Sequence, residues 1–267
     1  MKIQQMFGKF GTAGRTWWLF GSHLFASQCK QAAGNIKKLV FVVAVLALPS
    51  VGSADSHREE SVDRLDHAGS VLREIMSAPD SGIPQEILEN AKCVAVVPHM
   101  INGGFVFGAQ NGRGVATCRT ETGWSAPAFF AITGGSWGLQ IGIQGVDVVM
   151  IIQNQRGMQQ LLSSKFQLGG SVSAAAGPVG RHASASTNWK LETEILTYSR
   201  ARGAFAGLTL NAAWIRRDDD SFRAIYDGYV STRTALLGRI APPAGAESFL
   251  KSVRDAKDQA LVEITRE

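Results

Sequence analysis

The 267-residue chain is poor in several things that would announce a function. It has three cysteines, three tyrosines and eight prolines, and its longest uninterrupted apolar run, Leu39 to Leu48, is ten residues. A helix that crosses a bilayer needs about 20 apolar residues, so this run falls short of a membrane span. No C-x-x-C, H-x-x-x-H or D-x-D-x-D-G spacing occurs, so the usual zinc and calcium motifs are missing and no metal ligand is assigned. Nucleotide-cradling glycine patterns, G-x-G-x-x-G or the Walker loop, are also missing, and no cofactor is implied. There is no internal repeat of fixed period and no low-complexity tract.

A basic footprint is lacking as well, although the formal charge is +5. Of the 27 basic groups, Lys2, Lys9, Arg15, Lys30, Lys37 and Lys38 lie within residues 1–54, which hold no acid; 21 remain against 22 acids. The folded part is therefore near neutral, which argues against nucleic acid as a partner.

What is present begins with an address. Asn35-Ile36-Lys37-Lys38 leads into the apolar run, Pro49 breaks it, and Ser50, Gly52, Ser53 and Ala54 supply small residues. That order describes a secretory signal peptide with a long n-region over residues 1–54, cut after Ala54; the alternative is a retained membrane anchor. Residues 55–267 are then read as a single domain, and the mature protein as periplasmic or secreted. Export would place Cys93 and Cys118 where a disulfide persists. Spacing alone leaves open whether they pair or remain two buried free thiols on strands.

Apolar residues make up 45% of the chain, enough to fill a core, and 16 of the 29 glycines fall between residues 103 and 180. Val62, Leu65, Ala68, Leu72, Ile75 and Met76 predict an amphipathic helix over 58–78, and Pro84 opens a short one through Ala91. Cys93 to Val97 reads as a short buried strand ending at Pro98. Asn111-Gly112 predicts a hairpin between Phe105–Gly108 and Val115–Cys118. Strands are expected over Trp124–Ile132, Gly138–Gln144, Asp147–Ile152, Phe166–Ala174, Ser184–Leu191, Ile195–Ser199 and Phe205–Ile215. Between them, Met158, Leu161 and Leu162 suggest a short helix. Asp218-Asp219-Asp220 caps a helix carrying Phe222, Ile225 and Tyr226, and residues 245–264 form a last amphipathic helix. The fold class is α+β: a Gly-rich antiparallel curved sheet or barrel-like sandwich flanked by N- and C-terminal amphipathic helices.

Chemistry is sparse. Gly134-Gly135-Ser136-Trp137-Gly138 matches the nucleophile elbow, with Asp147 and His182 following in hydrolase order. An elbow requires a strand, a turn and a helix, whereas here a strand pattern follows, so no catalytic residue is assigned. His57, His67, His99 and His182 are scattered and read as solvated or satisfied single histidines. One asymmetry stands out. Between Asn154 and Arg217 lie Arg156, Lys165, Arg181, Lys190, Arg200, Arg202, Arg216 and Arg217, against only Glu192 and Glu194. Arg favours bidentate phosphate contact, and each basic group near an anionic membrane contributes about 1 kcal/mol. Lys165, Arg181, Lys190, Arg200, Arg202, Arg216 and Arg217 are therefore candidate lipid-headgroup contacts. The alternative is a solvated face in which Arg216 or Arg217 pairs with Asp218–Asp220.

Many ordered motifs resemble the SYLF domain family. They are Ile83-Pro84 through Asn90-Ala91-Lys92, Gly103-Gly104-Phe105-Val106-Phe107-Gly108, Gly112-Arg113-Gly114-Val115 and Trp124-Ser125-Ala126-Pro127. Further on come Gly138-Leu139-Gln140-Ile141-Gly142, Asp147, Leu168-Gly169-Gly170, Gly177-Pro178-Val179-Gly180-Arg181, Tyr198-Ser199 and Gly203-Ala204-Phe205-Ala206-Gly207. The resemblance covers about residues 60–238, in the manner of an exported bacterial-type member. It implies non-enzymatic binding of acidic phospholipids with phosphoinositide-type headgroups, and in eukaryotes an association with actin. An exported protein makes actin an unlikely partner, and the alternative is a structural or protein-interaction module of the cell envelope.

Overall fold

The computed structural model describes residues 53–78, 82–104, 107–137, 142–178, 193–201, 204–207, 210, 212–226 and 228–264. Nearly all of the segment read as a signal peptide, the strand expected at Ser184–Leu191, and Arg181, His182, Lys190 and Arg202 lie outside these. The first helix, α1 (Ser53–Met76), begins two residues before the expected cleavage point. Leu65, Ala68, Leu72 and Ile75 recur at three- and four-residue steps, and each is at most 1% exposed. A short helix α2 (Gln85–Glu89) follows Pro84.

The sheet then begins with β1 (Cys93–Gly104), β2 (Phe107–Thr120), β3 (Gly123–Trp124), β4 (Ala128–Trp137) and β5 (Gly142–Ile152). Helix α3 (Gln155–Leu161), capped by the Asn154 side chain, separates it from β6 (Lys165–Gln167) and β7 (Ala174–Ala176). The strands close with β8 (Ile195–Ala201), β9 (Ala204–Gly207) and β10 (Trp214–Arg217). Three helices finish the chain: α4 (Asp219–Ile225), α5 (Thr232–Leu236) and α6 (Glu247–Ile264).

The hydrogen-bonded order is β6-β10-β4-β2-β1-β5-β8-β7, with β3 on β2 and β9 on β8. All these pairs are antiparallel except β7 with β8, and the sheet is strongly curled, like half a barrel. The fold is α+β, as the order of expected helices and strands predicts. Residues 93–97 and 148–152 are buried on both faces of the sheet, which explains their unbroken apolar runs. Helix α1 packs on α6, whose Phe249, Leu250 and Val253 reach the core. Gly69 permits the approach, since a Cβ there would meet Ser252 Oγ at 2.9 Å.

Several elements differ from the sequence reading. The strands expected over Phe166–Ala174 and Phe205–Ile215 are each two short strands, β6 with β7 and β9 with β10. Asn111-Gly112 does not turn; it lies inside β2, and the reversal falls between Gly104 and Gly108, which face each other. Gly112 answers to packing instead, because a Cβ would come within 2.7 Å of Val97 Cγ1. Pro98 does not end β1. The strand slips register around Pro98 and His99 against both neighbours, and a bulge tolerates a residue with no N–H to donate. Helix α5, capped by the Ser231 side chain, carries too few apolar residues for periodicity to mark it.

Candidate functional site

The basic residues separate by strand parity. On β10, Trp214 and Arg216 share one face while Ile215 turns into the core at 3% exposure. Lys165 on β6 is the register partner of Arg216, so the two cations stand side by side. Lys165 Nζ lies 4.7 Å from the centre of the Trp214 ring, within cation–π range. Neither Lys165 nor Arg216 has an ion-pair partner among the described residues.

This edge opens onto a longer band. Register pairs run Gln167, Trp214, Thr133, Asn111, Ile101 and Gly145 across six strands. None of these six is buried; Trp214 is 41% exposed and Ile101 55%. With neighbouring strands about 4.8 Å apart, Trp214 and Ile101 stand roughly 14 Å from one another along the sheet. The band thus carries two large apolar side chains in a polar, small-residue field, with two cations at one end. Trp214, Ile101 and the register row have no signal in the sequence beyond alternation, and the sequence reading did not select them.

The other described cations of the 154–217 window are committed elsewhere. Arg200, on β8, binds Asp147 through Nε at 3.1 Å and Nη2 at 2.7 Å, and pairs also with Glu74 of α1. Arg217 points away from Trp214 and Arg216; its side chain is 9% exposed, its Nε lies 2.7 Å from Asp219 Oδ1, and its Cζ stands 4.1 Å from the Phe222 ring centre. Arg156 lies 3.5 Å from Glu194. Arg200 and Arg217 therefore leave the headgroup set, because carboxylates already neutralise them. Arg181, Lys190 and Arg202 fall outside the described residues.

A buried ion network fixes α1 beside this edge. Arg64 Nη1 donates to Asp218 Oδ2 at 3.0 Å and to Ser221 Oγ at 2.9 Å, while its Nη2 reaches Glu60 at 3.0 Å. Arg113 of β2 adds a 2.8 Å contact to Glu60. Asp218 also caps α4 by accepting from the Ser221 backbone N–H. Burial alone would raise the Asp218 carboxyl; both Ser221 hydrogen bonds and the Arg64 and Arg113 charges outweigh it and hold the pKa below its ordinary value.

Cys93 and Cys118 face each other in register on β1 and β2, and their sulfurs are bonded. Ser136 is a strand residue of β4 opposite Gly108, and the next described element is another strand, so the elbow geometry is not formed. Asp147, second in that sequence order, is occupied by Arg200 and by the His99 backbone N–H.

Residues 133–256 match a family model described as Ysc84, Las17-binding protein actin regulator. An SH3 domain-containing YSC84-like protein 1 from Rattus norvegicus is 31% identical over 189 residues, covering 68% of this chain and 55% of the relative. LAS seventeen-binding protein 3 from Saccharomyces cerevisiae is 31% identical over 176 residues, 64% of this chain and 38% of the relative. The chain thus spans about half the length, or less, of these curated relatives.

Proposed function

This chain belongs to the SYLF (Ysc84) family, and on that premise we propose that it is a non-enzymatic module binding acidic phospholipid surfaces through the Lys165–Trp214–Arg216 edge. The carrying observation is that two cations without carboxylate partners among the described residues flank an exposed Trp at the end of an open sheet band. Trp suits the interface between headgroup and acyl chain, and the cations suit phosphate. Ile101, further along the band, adds apolar area for the same surface. Helix α1 is a poor leader for anionic lipid, since Arg58, Arg64 and Arg73 stand against six carboxylates from Asp55 to Glu74.

The family description names binding and regulation and the yeast relative's name names binding, which supports a binding module rather than an enzyme. They also favour a second reading, a protein-interaction module. For the periplasmic or secreted location we propose, its partner would be an envelope protein rather than actin. Co-sedimentation with vesicles distinguishes the two. Salt-sensitive binding to acidic but not neutral vesicles is expected for the lipid reading. Inert vesicles alongside a stoichiometric protein partner would favour the other.

A further inference from the structure

Helix α1 and the β1 bulge bring together two histidines that are far apart in sequence. The His67 and His99 ring centres are 5.6 Å apart, with planes at 78°. Both residues are exposed. His99 has φ +52°, a left-handed conformation that a non-glycine residue keeps only where its surroundings over-determine it.

Those surroundings are specific. The His99 backbone N–H donates to Asp147 Oδ1 at 2.9 Å, and Arg200 holds the other oxygen of this buried carboxylate. Arg200 also pairs with Glu74 on α1, so the group that pins the bulge is tied to the helix that carries His67. Bulges commonly re-aim a side chain, and this one turns an imidazole toward a second imidazole.

We propose that His67 and His99 form a surface site for an imidazole-preferring divalent transition metal, with Cu(II) the tightest binder of the first row. A metal–nitrogen distance of about 2.0–2.1 Å places two imidazoles on one ion with ring centres roughly 5–6 Å apart, which the observed separation meets. Among the described residues no third His, Cys, Asp or Glu completes a cluster, so water fills the other positions and the ion is exchangeable. A bound ion bridges α1 to β1 and stabilises the fold by mass action.

Titration of Cu(II) into the full 267-residue disulfide-bonded chain, in which residues 1–54 keep a free amine away from His57, with electron paramagnetic resonance of the complex, tests this. One ion per chain is expected, with nitrogen couplings from two imidazoles. His67→Ala and His99→Ala should each weaken binding by at least about tenfold, and His57→Ala should leave it unchanged. Both histidines are exposed, and circular dichroism verifies that the variants fold. A zinc-dependent rise in the wild-type melting temperature gives a reading that needs no variant. Unchanged Cu(II) affinity in either single variant, a spectrum without two imidazole nitrogens, or no zinc response would overturn the proposal.

Discussion

The Arg64 guanidinium and the Asp218 carboxylate lie 3.0 Å apart with side chains only 6% and 5% exposed, joining α1 to the first turn of α4. Removing one partner of a buried pair leaves an uncompensated charge, which costs about 3–5 kcal/mol. Arg64→Ala should lower the unfolding free energy by that amount in urea titrations. A change of less than about 0.5 kcal/mol, typical of surface positions, would contradict this account of how α1 is held.

The same carboxylate sets an acid limit. A folded pKa below the unfolded value, about 3.9, adds stability above that pH and loses it as pH falls through the folded value. Melting temperatures of the wild type should therefore decline below about pH 4. Asp218→Asn should melt lower than wild type at pH 7 and decline less steeply in acid.

Two glycines offer opposite outcomes. A Cβ at Gly114 would fall 2.5 Å from Phe130 Cζ and 2.7 Å from the Val96 carbonyl oxygen, whereas at Gly145 nothing lies within 4 Å. Gly114→Ala should destabilise by about 1–3 kcal/mol through overpacking. Gly145→Ala should stay within about 0.5 kcal/mol, as read from denaturant midpoints.

The Cys93–Cys118 bond spans a sequence separation of 25. A closed loop of that length stabilises by about 3–4 kcal/mol in the chain-entropy model. The Cys93→Ala/Cys118→Ala variant should lose about 2–4 kcal/mol, measured by thermal or urea unfolding against the oxidised protein.

Local signals carried most of the architecture. The apolar period of α1, the Asn154 and Asp218 caps, and the unbroken runs at 93–97 and 148–152 are written in neighbouring residues, so helices and buried strands are legible there. The hairpin position was not, because Asn-Gly favours a turn locally while Gly112 is required by contact with Val97, a residue distant in sequence. Pro98 misled for a similar reason: a bulge formed against both neighbouring strands absorbs its missing donor. The candidate site was legible only in part. Lys165 and Arg216 stand out as charges, but their adjacency depends on the β6–β10 register, and the commitment of Arg200 to Asp147 and Glu74 depends on elements from three parts of the chain. The His67–His99 encounter has no sequence signature, since helical spacing of paired histidines is absent.

The central claim is that Lys165 and Arg216, flanking Trp214, form the membrane-facing edge. Its most direct test is the affinity of Lys165→Glu/Arg216→Glu for phosphoinositide-containing vesicles at low salt, beside the wild type and with melting temperature as the folding control. With each cation contributing about 1 kcal/mol near such a surface, reversal of both should weaken binding at least about tenfold while leaving the fold intact. Equal binding of the two proteins, or wild-type binding that does not distinguish acidic from neutral vesicles, would contradict it.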